Sequence, residues 1–328
     1  MIFGRRGLAA LHRVQDVRAW LRLHLLNQLW KSQEFSAPEA QEEMLLDKIR
    51  CTAYREALRR TVKPGDIVVD LGAGTGLLSF FAIEAGARHV YAIEMSSIAD
   101  VAAKLIEANG RQGQITLLRE HSTRVRLPEL CDVLVTDTLS SFCFDHENIL
   151  AVVADARQRL LKRQARIIPE VCDTLLVPFS SDEFGPGLLP SHLYGLDYRS
   201  FRDRRFATAG AVAAAGKRFT SLGSPQLFAR LNFNEITKPP GPATLTFQVC
   251  AKGRLDGFLG WFDCRLSEGV ALSNAPHLAP NHWLQLCFPV MDQPRVFPGD
   301  TITLHLDPHV TAGEAQWQYR VNLSSASA

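Results

Sequence analysis

The sequence predicts an α/β, Rossmann-like domain followed by an all-β domain, on three observations. Asp66 to Asn109 reads as strand, glycine-rich turn, helix, second strand ending in an acid, and helix. Short apolar runs then keep alternating with helical segments as far as Pro169, the signature of a parallel sheet with crossover helices. Beyond Pro169 helical periodicity weakens, and apolar runs are divided by Gly, Pro and Asp turns. A chain of 328 residues is also too long for one typical domain, so two are expected.

In chain order, Val14, Val17, Leu21, Leu25 and Leu29 fall at helical spacing among Arg13, Arg18 and Arg22. An amphipathic membrane-surface helix or a basic transit segment would share that pattern, but Asp16 and the interleaved apolar positions favour a packed N-terminal helix. Glu42 to Leu58 reads as one helix, and Lys63-Pro64-Gly65 as the turn into the first strand. Ile67, Val68, Val69 and Leu71 form the apolar run of a strand covered on both faces, interrupted by Asp70 near its carboxyl end. Gly72, Gly74 and Gly76 allow a sharp turn and close approach of backbone to a ligand. A helix follows from Leu77 to Ala85 with Gly86 as its stop, then a strand from Val90 to Ile93 closed by Glu94. Ile115 to Leu118, Val133 to Val135 and Ala165 to Ile168 supply further strands. In the second domain Thr174 to Val177, Ala243 to Ala251, Leu284 to Val290 and Ile302 to Leu306 read as strands, and the small-residue stretch Ala207 to Ala215 as a loop or short helix.

Composition excludes several classes. With 36 basic and 34 acidic residues the formal net charge is +2, which leaves no electrostatic footprint for nucleic acid. No apolar run approaches the length of a membrane span. The seven cysteines are odd in number, scattered and without a C-x-x-C pair, so reduced thiols in a cytoplasmic protein are expected rather than disulfides or a metal site.

Two ligands compete for the glycine turn. A dinucleotide fingerprint needs G-x-G-x-x-G, and Gly72-Ala-Gly-Thr-Gly76 closes one residue too early. Asp70 would also repel a pyrophosphate. D-L-G-A-G-T-G instead resembles motif I of the class I S-adenosylmethionine methyltransferases, whose ligand carries an ammonium that an acid attracts. Glu94, roughly 20 residues beyond the glycines, suits a grip on ribose hydroxyls.

The resemblance narrows with four further stretches. Glu42-Glu-Met-Leu-Leu-Asp-Lys-Ile-Arg-Cys-Thr-Ala-Tyr-Arg55 looks like the helix before motif I in the protein arginine methyltransferases, and Ala85 to Ile98 is similar to that family's second strand and beyond. Asn281-His282-Trp283 with Gly299-Asp300 resembles its T-H-W loop and following strands; Tyr194-Gly195-Leu196-Asp197 resembles the base of its dimerisation arm. The match spans about residues 35 to 310. It implies a β-barrel-like second domain beginning at Pro169, a short arm at about 183–216, and a homodimer. Carried over by position, Arg50 would pair with the cofactor carboxylate, Asp70 and the glycines would line the cofactor, and Glu94 would hold the ribose. Met44 would pack near the methyl group, Thr123 would stand where the family contacts adenine, and Asp47 with His282 would form a charge pair between the domains.

The chain departs from the family after the fourth strand. There two glutamates clamp the acceptor guanidinium and leave the attacking nitrogen free for in-line transfer. This chain reads Thr136-Asp137-Thr-Leu-Ser-Ser-Phe-Cys-Phe-Asp-His146-Glu147. Asp137 replaces the first glutamate with a shorter side chain. His146 holds the ungapped second position, and Glu147 reaches it with one inserted residue. With Glu147 a guanidinium site survives; with His146 the site pairs a carboxylate with an imidazole suited to a less basic acceptor. Lys31 to Phe35 keeps one aromatic of the family's Y-F-x-x-Y cap.

The sequence thus predicts an N-terminal helical segment (1–34), an S-adenosylmethionine-binding domain (35–168) and a β-barrel substrate domain (169–328). The expected activity is N-methylation of arginine in a protein, peptide or small molecule, with no nucleic-acid partner and no metal. A biosynthetic methyltransferase with a non-arginine acceptor, and a catalytically silent cofactor-binding partner, are the alternatives.

Overall fold

The structure, a computed structural model, describes residues 37–145, 149–311 and 314–326. The predicted N-terminal helical segment, the Phe35 aromatic, His146 and Glu147 lie outside them.

The expected Glu42–Leu58 helix is two helices, α1 (Pro38–Leu46) and α2 (Lys48–Thr61). Asp47 separates them: its carboxylate accepts the Arg50 N–H at 3.0 Å, an N-cap that starts α2 afresh. Helical periodicity survives such a break, so the pattern alone does not reveal it. The sheet that follows is parallel, with strands β1 (Ile67–Leu71), β2 (His89–Ile93), β3 (Ile115–Leu118), β4 (Cys131–Thr136) and β5 (Leu161–Ile168) in the order β3-β2-β1-β4-β5. Helices α3 (Leu77–Glu84), α4 (Ala99–Ala108) and α5 (Ile149–Arg159) connect them. β1 is buried along its whole length, which is why it reads as an unbroken apolar run. Strand order reverses between β1 and β4, and at such a switch point α/β sheets bind ligands outside the carboxyl ends of their strands. Gly72, Glu94 and Asp137 are the residues that directly follow β1, β2 and β4.

The cis peptide Ile168–Pro169 separates β5 from β6 (Val171–Ser180), where the antiparallel domain begins. The long strand Gly257–Ser267 pairs with β6 through Phe179 to Val171 and with Gln285–Pro289 on its other side. Thr301–Thr311 lies between Ala243–Gln248 and Glu314–Ser324 in a second sheet. The stretch read as loop or short helix contains a strand, Gly210–Val212, paired with Gln285–Cys287; partner strands, not local propensity, decide it. A hairpin, His192–Leu193 with Leu196–Asp197, turns through Tyr194 and Gly195 at φ 54 and 77° and leads into the helix Arg199–Arg205. No helix among the described residues is long and apolar enough to cross a membrane.

Candidate cofactor and acceptor site

The glycine turn is built as its residues require. Gly72, Gly74 and Gly76 adopt φ of 71, 56 and 85°, the left-handed region where a side chain is strained. The N–H groups of Gly72 and Ala73 both donate to the Ile93 carbonyl at 3.0 Å, locking the turn to the end of β2. Glu94 completes the lock: its Oε2 accepts from the Gly74 N–H at 2.9 Å and its Oε1 from the Ser96 N–H at 2.8 Å. Close approach matters here as much as φ. A Cβ on Gly72 would meet Thr138 Cγ2 at 2.5 Å, and one on Gly74 would meet Gln41 Oε1 at 2.9 Å. The turn is therefore flanked by the segment after β4 on one side and by α1 on the other.

Asp70 lies directly beneath this turn and is wholly buried. The Ser79 hydroxyl on α3 donates to Oδ2 at 2.7 Å, while Oδ1 has no partner among the described residues. Burial pushes its carboxyl up to about 7, the Ser79 hydrogen bond works against that, and the nearby Glu94 charge adds to the rise.

Arg50 gathers the rest of the site. It is buried, with Nη1 ion-paired to Asp137 Oδ2, and Nε and Nη2 donating to the Met44 carbonyl at 3.3 and 3.0 Å. Asp47, which caps the same turn, accepts at Oδ2 from the His282 backbone N–H at 3.0 Å and from its Nδ1 at 2.8 Å. A carboxylate only accepts, so Nδ1 carries the proton. Burial alone would raise Asp47, but the hydrogen bonds from His282 and Arg50 overcome it and hold the carboxyl at about 2. Burial holds His282 below the usual imidazole value; Asp47 works the other way, and the Arg50 charge lowers it further. The expected Asp47–His282 pair is present as a hydrogen bond, with the dry surroundings and the Arg50 charge disfavouring a cation on the imidazole and Asp47 favouring one.

The antiparallel domain fixes the segment after β4. Trp283 Nε1 donates to the Leu139 carbonyl at 2.7 Å and Asn274 Nδ2 to the Ser141 carbonyl at 2.9 Å. Phe142 enters the barrel core, with ring centroids 5.6 to 6.0 Å from Trp317, Phe228 and Phe288. Asp145 is buried and accepts from the Phe142 N–H at 2.7 Å and from the Ser140 hydroxyl, which folds the segment back on itself. A cleft of about 550 Å³ opens beside Asp47 and His282, lined also by Glu39, Glu42 and Glu43.

The structure therefore brings Asp47, Arg50, Met44, Asp137 and His282 into one hydrogen-bonded set, and the glycines with Glu94 into another beside it. Thr123 belongs to neither: it sits exposed on a short 3-10 turn, its hydroxyl 2.7 Å from His121 Nδ1. Met44 contributes its carbonyl to Arg50. His146 and Glu147 fall outside the described residues. Sequence reasoning missed Gln41, Tyr54 and Ser79. Tyr54 is buried on α2 and its hydroxyl donates to the Thr136 carbonyl at 3.0 Å, binding that helix to β4. A polar residue on the buried face of an apolar helix, as Ser79 is in Leu-Leu-Ser-Phe-Phe, was the available signal. No group of metal-ligating side chains occurs among the described residues.

The family model for the arginine methyltransferase oligomerization subdomain matches residues 191–324, and the model for ribosomal protein L11 methyltransferase matches residues 52–168. Zebrafish (Danio rerio) protein arginine N-methyltransferase 6 is 31% identical over 264 residues, covering 74% of each chain. The chain belongs to the protein arginine methyltransferase family. Another member of that family, the probable histone-arginine methyltransferase 1.4 of Arabidopsis thaliana, is 33% identical over 310 residues, covering 87% of this chain; the chain spans 56% of that relative's length. Among solved structures, the Trypanosoma brucei PRMT1 enzyme–prozyme heterotetrameric complex with AdoHcy superposes with a TM-score of 0.76 at 20% identity, over 89% of this chain and 99% of that one. Arginine methyltransferase architecture is thereby shared at the level of the fold, the Rossmann-like domain and the barrel together.

Proposed function

We infer that the chain is an S-adenosylmethionine-dependent methyltransferase acting on a guanidino nitrogen of arginine. The observation that carries this reading is the Arg50–Asp137 pair at the mouth of the glycine turn. It supplies a cation beside the turn and a carboxylate whose Oδ1 is buried without a partner among the described residues.

The residues present fit the cofactor. Gly72 and Gly74 let the turn pack tightly against Thr138 and Gln41, and Asp70 offers an oxygen, unpartnered among the described residues, suited to an ammonium. Arg50 would hold the carboxylate, Asp70 with Gly72, Gly74 and Gly76 the amino-acid end, Glu94 the ribose, Met44 the methyl side and Thr123 the adenine side. The bound cofactor supplies an activated methyl on a sulfonium. This chain's own task is placement: Asp137 orients the acceptor guanidinium and draws its charge away from the attacking nitrogen, with Glu147 or His146 at the second clamp position. Asp47 and His282 tie the start of α2 to the barrel. The acidic cleft of Glu39, Glu42 and Glu43 favours an arginine within a basic protein or peptide over a free metabolite. The names of the relatives do not favour the small-molecule or silent-partner readings.

Radiolabelled methyl transfer tests the proposal. Transfer to an arginine-rich peptide is expected, with less to free arginine; tight S-adenosylhomocysteine binding with transfer to neither would refute it.

We further propose the domain division 35–168 and 169–328 and a homodimer formed through the arm, where Tyr194, Leu196 and Phe201 are exposed. The match to an oligomerization subdomain supports it. A cytoplasmic setting is supported by the seven free cysteines.

A further inference from the structure

Asp70 is an unusual carboxyl. It has no exposed surface, a hydroxyl donor on Oδ2, and an Oδ1 that meets no donor among the described residues. The charged groups that face it come from two directions. Glu94, at the end of β2, carries like charge. Arg50, on α2, carries opposite charge but is already committed to Asp137 and to the Met44 carbonyl. From α3 it receives the neutral Ser79 hydroxyl, and the Ser79 backbone N–H also favours its charged form. A dry carboxylate whose hydrogen-bond donors are all neutral and come from one residue, with an acidic neighbour, is costly, and such a group tends to retain its proton. Burial, the largest influence, indeed raises it from the ordinary value to about 7.

The unpartnered oxygen points to what changes this balance. We propose that Asp70 holds a proton in the free protein in mildly acid medium, and in part of the molecules at neutral pH, and gives it up when the amino-acid end of the cofactor binds, so that cofactor binding there releases a proton to solvent. The inference rests on the cofactor reading above. In the exchange an O–H bond of Asp70 breaks and the proton leaves to the buffer. An ammonium N–H of the ligand then donates to the carboxylate, and the ammonium keeps its protons. The arriving positive charge meets a newly formed negative one, and the buried site keeps its net charge. Affinity therefore falls as the medium is acidified, because protons and cofactor compete for the same carboxylate.

S-Adenosylhomocysteine is the probe, since it carries the amino-acid end without the sulfonium. The full chain is titrated calorimetrically at pH 6, 7 and 8, each in two buffers of different ionisation enthalpy. The expected release is about half a proton at pH 7, nearly one at pH 6 and little at pH 8, following the linkage relation. Asp70→Asn abolishes the buffer dependence. Binding with the same enthalpy in both buffers at every pH overturns the proposal and leaves the cofactor reading intact; absence of binding at every pH overturns both. Proton release that persists in a folded Asp70→Asn variant assigns the proton elsewhere and also overturns it. Should that variant not fold, the infrared difference spectrum of the wild-type chain at pH 6 decides: a protonated-carboxyl band is lost on binding, and its persistence refutes the idea.

Discussion

Arg50, on the first turn of α2, and Asp137, the residue after β4, form a buried ion pair across 87 positions of sequence. The guanidinium fork is divided: Nη1 faces Asp137 while Nε and Nη2 hold the Met44 carbonyl. One side chain thus ties the turn between α1 and α2 to the end of the parallel sheet. The same pair joins the two halves of the proposed chemistry, with Arg50 on the cofactor side and Asp137 on the acceptor side.

Arg50→Ala is expected to lower stability by about 3–5 kcal/mol, because it strands a buried carboxylate. It should also abolish S-adenosylhomocysteine binding. Arg50→Lys keeps a charge but loses the fork, so it should recover part of the stability and little of the binding. Chemical denaturation and calorimetric titration of both variants check this, and wild-type affinity in Arg50→Ala would refute the role.

Asp137→Asn preserves shape and removes charge. Methyl transfer to an arginine peptide should fall by about 10²–10³ in kcat, on the order found when one electrostatic contact to a transition state is removed. S-adenosylhomocysteine binding should fall less. Steady-state kinetics at saturating cofactor read the difference, and an unchanged kcat would remove Asp137 from the acceptor site.

Gly72→Ala combines two costs. Its φ of 71° is strained for any side chain, and its Cβ would lie 2.5 Å from Thr138 Cγ2. A loss of about 1–3 kcal/mol is expected from the backbone alone, with the clash added. Thr138→Ser removes that methyl and keeps a hydroxyl for Thr136, which lies 3.0 Å from the Thr138 oxygen. A double-mutant cycle should therefore show partial rescue, since the backbone cost remains. Strict additivity would show that the methyl is not the obstacle.

The Asp47–His282 contact predicts an acid response. Asp47 titrates at about 2 in the folded chain against an ordinary value of 3.8. A depressed carboxyl stabilises the fold above pH ~4, and the contribution disappears as pH falls toward 2. Asp47→Asn should flatten this part of the stability profile and cost about 1.5–3 kcal/mol at neutral pH, the range for hydrogen bonds to a charged group. Urea denaturation across pH 2 to 7 tests both.

The exposed arm makes the last prediction. Tyr194 is 94% exposed and Phe201 60%, two large aromatic side chains left uncovered by the described residues. Tyr194→Ser with Phe201→Asp should convert a dimer to a monomer by native mass. A wild-type monomer at micromolar concentration would end the dimer proposal.

The glycine turn, β1 and the acid after β2 were legible because each is a local feature. Positive φ demands glycine wherever it occurs, and a strand covered on both faces must be apolar along its length. The strand Glu314–Ser324 carried an equally local signal in the alternation of Trp317, Tyr319 and Val321, which sequence reading passed over. Gly257–Ser267 was harder: its first half is a glycine-bearing apolar run buried on both sides, and the alternation begins only at Asp263. The division of the first helix at Asp47 was hidden for another reason, since a capping aspartate in a helical pattern looks like any other exposed acid.

By itself, then, the sequence determined the order of strands and helices around the glycine turn and the kind of ligand that turn admits. Those follow from φ, periodicity and charge within a few residues. Only the tertiary structure decided that Arg50 meets Asp137, Asp70 meets Ser79 and Trp283 meets the Leu139 carbonyl, while Asp47 with His282 was implied by the family resemblance and by no local pattern. These contacts join separate elements, three of them across 87 to 235 positions. Their partners are chosen by burial and by the need to satisfy buried charge, and neither leaves a mark on neighbouring residues.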